Sequence, residues 1–163
     1  MWTRPPQRTR VTRVTGFLLL KWIHVMSAIV AVGSNVTYGV WSVQGKRDPE
    51  HLGFVLRGIK VLDQRVANPA YGVVLITGLV MAFTQYTIGT RWILTGLLIY
   101  IVMAGLATAV YTPTLRRQIE RLDAEGPKGA GYIAAEARAR GVGLFLGVLA
   151  LFAVFVMVFK PTF

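Results

Sequence analysis

Apolar residues fall into four long runs, 16–41, 66–83, 92–111 and 141–159, separated by segments in which charge, proline and glycine concentrate. A hydrocarbon layer about 30 Å thick takes about 20 helical residues to cross, and each run meets or nearly meets that length. The helix is the fitting element because lipid offers backbone amides and carbonyls no partners, so they must pair within their own segment. The pattern predicts an all-α, polytopic membrane protein. Its architecture is an antiparallel four-transmembrane-helix bundle with cytoplasmic helical extensions, a single membrane domain over 1–163 with spans at about 16–41, 66–85, 92–113 and 139–159.

The segments between runs carry their own periodicity. After Lys46, Arg47, Asp48, Pro49 and Glu50, the residues Leu52, Val55, Leu56, Ile59 and Leu62 recur at helical spacing and predict an amphipathic lead into the second span. Arg57, Lys60, Asp63 and Arg65 share that stretch and are expected to keep their charges in water or headgroups. Asn68 is expected to cap the membrane part of the second helix, with Pro69 starting or kinking it. Pro113 predicts a kink near the exit of the third span, after which helical spacing resumes through Arg116, Arg117, Glu120 and Arg121. A turn at Gly126, Pro127, Gly129 and Gly131 precedes the alanine-rich entry to the fourth.

Composition agrees with a membrane environment: 54% of residues are hydrophobic and 15% charged, and the mean hydropathy is +0.54. The absence of cysteine excludes disulfides, thiolate metal sites and cysteine nucleophiles. A formal charge of +11 raises nucleic acid as a partner. The basic residues flank apolar runs without a reader motif, however, and point to anionic lipid instead. Eleven Lys or Arg lie on the side of the two long loops against seven on the other, which favours cytoplasmic loops and external termini. Arg4, Arg8, Arg10 and Arg13 ahead of the first span argue the opposite way. The first run extends well past the about 7–15 residues of a secretory signal core, so it reads as a retained helix.

Chemistry in such a chain has to sit between helices. His24 is the leading candidate, because an ionisable group inside an apolar helix is costly and marks function by default. With Ser27, Ala31, Ser34, Asn35 and Tyr38 it forms a polar and small-residue stripe on one helix face, predicted to point into the bundle. Three readings compete: hydrogen bonding to neighbouring helices, axial ligation of haem b, and passage of protons or small solutes. Met81 or Met103 would be the second ligand to a haem, since His51 falls in a loop. Arg65 and Asn68 could flank an anionic group such as a lipid phosphate or a porphyrin propionate. No metal site, nucleotide loop or paired carboxylate can be assembled. Gly143 and Gly147 form a GxxxG pair that serves either packing within the monomer or a homo-oligomer.

The segment Leu20-Lys21-Trp22-Ile23-His24-Val25 with Gly33, then Asn68-Pro69-Ala70 and Thr77-Gly78-Leu79, resembles an uncharacterised bacterial family of predicted integral membrane proteins. That family carries a domain of unknown function, usually of four helices, with a Leu-Lys-x-x-His-Val motif in the first and a Thr-Gly motif in the second. More distantly, the same elements are similar to the copper-resistance D membrane domain and to HemJ-type protoporphyrinogen oxidases, which implies a haem-binding role for His24. The chain departs from the oxidases where a lysine should follow the third-helix tryptophan: Trp92 is followed by Ile93, Leu94, Thr95 and Gly96. The expected function is that of a bacterial inner-membrane component, non-enzymatic or accessory, with a membrane protein or a second copy as partner. The alternative is a haem-binding redox protein using His24.

Overall fold

The computed structural model describes residues 7–161, with side chains from Val14 onward. Every element among them is helical: α1 (Gln7–Arg47), α2 (Leu52–Leu62), α3 (Asn68–Thr84), α4 (Arg91–Leu106), α5 (Thr112–Glu125) and α6 (Ala130–Phe159). Because α2 runs into α3 and α4 into α5 without a break, the chain makes four continuous rods, each long and apolar enough to cross a membrane. Their outward faces carry Leu18, Trp22, Ile29, Ile76, Leu98, Ile101, Leu151 and Val158, all more than half exposed. Such surfaces would drive aggregation in water and are the natural boundary with lipid tails.

Within the membrane α1 packs against α3 and α4 against α6, with a thinner contact between α1 and α6. At one end, α2, α5 and the first turns of α6 gather around the end of α1 as a helical collar. The amphipathic reading of α2 holds here: Leu52, Val55, Leu56 and Ile59 are buried with Tyr38, Leu115, Leu122 and Tyr132. Gly45 lets α2 fold back so closely, since a methyl group there would stand 3.1 Å from both Leu52 Cδ1 and Val55 Cγ1. Ion pairs from Lys46 to Glu136 and from Arg57 to Asp123 tie α1 to α6 and α2 to α5. Glu125 closes the loop between α5 and α6, accepting from Arg121 at 2.7 Å and from the Gly131 amide at 2.8 Å.

The two continuous joints are π-helical turns, at Asp63–Ala67 and Ala107–Tyr111. Each directly precedes a residue-proline pair, Asn68-Pro69 and Thr112-Pro113. Proline lacks an amide hydrogen and its ring crowds the carbonyl one turn back, and a widened turn relieves both problems without ending the helix. This corrects the expectation for Asn68: with φ −61° and ψ −45° it is a helical residue inside a continuous rod, not a cap.

At the opposite end, α6 stops at Lys160, whose φ of 47° is left-handed and whose amide caps the Val156 carbonyl. The Lys160 ammonium lies 5.5 Å from the ring centre of Tyr86 and 5.3 Å from that of Trp92. Those two rings meet edge to face at 5.4 Å in the turn between α3 and α4. An aromatic pair holding a cation suits the boundary between headgroups and tails.

Candidate functional site

The polar stripe of α1 does face α3, and its first contact joins the two motifs singled out in the sequence. His24 Nδ1 lies 2.9 Å from the Thr77 hydroxyl oxygen. Thr77 donates its single proton to the Val73 carbonyl at 2.6 Å, so its oxygen accepts from the imidazole N–H, leaving the lone pair on Nε2. Gly78 gives the ring its seat, because a methyl group there would come within 3.1 Å of Cε1. Further along, Asn35 Nδ2 donates to the Tyr71 hydroxyl at 2.8 Å. The Tyr100 hydroxyl then reaches from α4 to the Tyr71 carbonyl at 3.1 Å, linking the two helix pairs.

On the collar side of that link the pairs part around a chamber of about 830 Å³. Its size falls in the range of about 300–1,000 Å³ typical of small-molecule sites. The space exists because glycine stands where a side chain would fill it: Gly39 on α1, Gly72 on α3 and Gly147 on α6 all line it. A methyl group built at any of the three would meet nothing within 4 Å. Of the GxxxG pair, Gly147 stands beside the open space and Gly143 lies against Tyr111 of the same chain, both on the chamber wall.

The lining is apolar over most of its area, with convergent polar groups near the collar. Asp63 belongs to it and is only 9% exposed. The expectation that Asp63 keeps its charge in water is therefore corrected. It stands four residues after Ile59, on the buried face of α2, while Arg57 and Arg65 are exposed and Lys60 partly so. The Asn68 side chain stands beside its carboxyl, and Tyr38, Tyr71 and Tyr111 are its electrostatic neighbours. The hydroxyls of Tyr38 and Tyr132, on side chains 6% and 4% exposed, are shielded from solvent and make no hydrogen bond of full geometry. Ser34 stands beside the first and Gln118 beside the second. Buried polar groups left this way call for a partner, because each carries its desolvation cost uncompensated.

The three residues proposed from sequence as a cofactor site are thus distributed over different surroundings. His24 is at Thr77 and is not part of the chamber wall; Asn68 lines the chamber; Arg65 is exposed. Nine residues separate Asn68 from Thr77 along α3, which is about 13 Å of helix rise. Met103 packs in the core of α4 and α6 with Ile99 and Leu146. This arrangement does not fit a haem held jointly by His24, Arg65 and Asn68. Among the described residues, no group of three or more His, Asp or Glu could hold a metal ion.

Neither a curated protein nor a solved structure matches the chain. A family of predicted integral membrane proteins does, over residues 18–161, which takes in His24, Thr77, the chamber, most of the first rod and the whole of the other three. The chain belongs to that family, the predicted integral membrane proteins with domain of unknown function DUF2269.

Proposed function

We propose that this protein is a non-enzymatic binding component of a bacterial cytoplasmic membrane, which takes one small amphipathic molecule into the chamber between its helix pairs. One observation carries the reading: a glycine-walled space of about 830 Å³ with the buried carboxyl of Asp63 on an otherwise largely apolar wall. A chamber kept only for packing would be expected to collapse or to be lined by apolar groups alone. The collar lies on the cytoplasmic side in this reading, where its eleven basic residues meet anionic lipid. The acid and base that the described wall does bring together, Glu136 and Lys46, are spent on each other in an ion pair, which favours binding over catalysis.

The test is native mass spectrometry of the protein released from lipid nanodiscs, compared with Gly147→Leu. The wild type is expected to carry a bound small molecule in stoichiometric amount. The leucine variant should fold and lack it, since its side chain projects into open space. A wild type that neither retains a small molecule nor binds one saturably when offered would overturn the reading.

A further inference from the structure

Resting on that reading, we infer that the molecule taken into the chamber bears a cationic amine or quaternary ammonium head, held by Asp63 among the rings of Tyr38, Tyr71 and Tyr111. Asp63 sits in the chamber wall beside Asn68, and among the described residues no Lys or Arg forms an ion pair with it. A carboxylate removed from water is costly unless a cation or several hydrogen bonds compensate it. The other charges on the chamber wall do not do so. Lys46 is engaged by Glu136, and Arg140 is exposed. Asp63 is thus the acid of the chamber wall without a basic partner, in a chain that is strongly basic overall, and a positive guest would hold it ionised.

The aromatic lining points the same way. Tyr38, Tyr71 and Tyr111 are close enough to Asp63 to interact with it electrostatically, and all three line the chamber. Tyrosine faces attract ammonium groups, most strongly where water is excluded, and several rings around one carboxylate form the usual cage for a quaternary ammonium. Away from the collar the wall turns apolar through Val32, Met103, Leu146 and Leu151, matching a hydrocarbon body attached to that head. An ammonium headgroup of a bilayer lipid and a free amphipathic amine share this chemistry.

The probe is octyltrimethylammonium, titrated into the protein in nanodiscs of phosphatidylglycerol, with octyl sulfate as the anionic counterpart of equal chain length. Saturable binding of the cation alone is expected. Asp63→Asn should weaken it by about thirtyfold or more, as loss of a buried charge partner does. Should that variant fold poorly, Tyr38 gives a second measurement: its hydroxyl has no full hydrogen bond to lose, so Tyr38→Phe should retain cation affinity and Tyr38→Leu should lose it. Nanodiscs with added phosphatidylethanolamine assign the source, since competition there marks a lipid headgroup and its absence a free amine. Equal affinity in the wild type and Asp63→Asn, or preference for octyl sulfate, would overturn the inference. In that event binding that still disappears in Gly147→Leu would leave the chamber reading standing.

Discussion

The imidazole of His24 is a hydrogen-bond donor to Thr77: the two side chains meet at 2.9 Å, and the threonine has already given its proton to the Val73 carbonyl. With the Val74 carbonyl as a second partner of the ring, the contact fastens α1 to α3 inside the apolar layer. Polar bonds between membrane helices contribute about 0.6 kcal/mol on average and reach about 1.7 kcal/mol. Thr77→Val keeps the shape and removes the acceptor, so it should destabilise the protein by about 1 kcal/mol in a reversible detergent or lipid unfolding assay. Nitrogen-15 NMR of His24 should show the Nδ1–H tautomer in the wild type and a mixture in the variant. An unchanged tautomer would mean that another group holds the ring.

The cation of Lys160 between Tyr86 and Trp92 closes the end away from the collar. Lys160→Met retains much of the apolar stem and loses the charge. It should cost about 0.5–1 kcal/mol and free Trp92, read as a red shift of its fluorescence where the other tryptophans have been replaced by phenylalanine.

Gly126 adopts φ 73° and ψ 179°, a conformation open in practice to glycine alone. Gly126→Ala should therefore destabilise the collar by about 1–3 kcal/mol, the cost of backbone strain of this kind. Hydrogen exchange is the measurement: the last turn of α5 and first turn of α6 should lose protection while the far ends of α3 and α4 keep theirs.

Glu125 predicts a pH dependence confined to the same loop. Its hydrogen bond with Arg121, and then the bond from the Gly131 amide, hold its carboxyl below the usual carboxylate range. A depressed carboxyl contributes order that is fully present above the unfolded-state value and is lost as pH falls through the folded one. Protection of the Gly131 amide should thus fall on acidification below the ordinary glutamate range and become independent of pH in Glu125→Gln. An amide whose intrinsic-rate-corrected exchange ignores this window would show that the carboxylate does not close the loop.

The four rods were legible in the sequence because lipid makes a crude demand, about 20 apolar residues in a row, and each segment states it openly. The inward face of α1 was legible too, since polar residues in an apolar helix have few other places to go. The chamber was not. Tyr38, Tyr71, Tyr111 and Tyr132 lie far apart along the chain, and nothing local distinguishes a tyrosine on a cavity wall from one anchored at a membrane boundary. Asp63 could have been found: counting on from Leu52, Val55, Leu56 and Ile59 places it on the buried face, but its charge suggested water. The π-helical joints left only the trace of Pro69 and Pro113, which signal a disturbance without stating its form.

The chamber's rim includes Val36 and Val43 on α1 and Leu144 and Val148 on α6, all apolar and more than half exposed. They border the opening of the chamber on the apolar flank of the bundle, so the guest proposed above would arrive sideways, after dissolving in the bilayer. Occupancy then follows the mole fraction of guest per lipid, not its molarity in buffer. At fixed total guest, adding empty vesicles should strip it from the protein by dilution in two dimensions, and affinities measured at different lipid loads should coincide only when expressed per lipid.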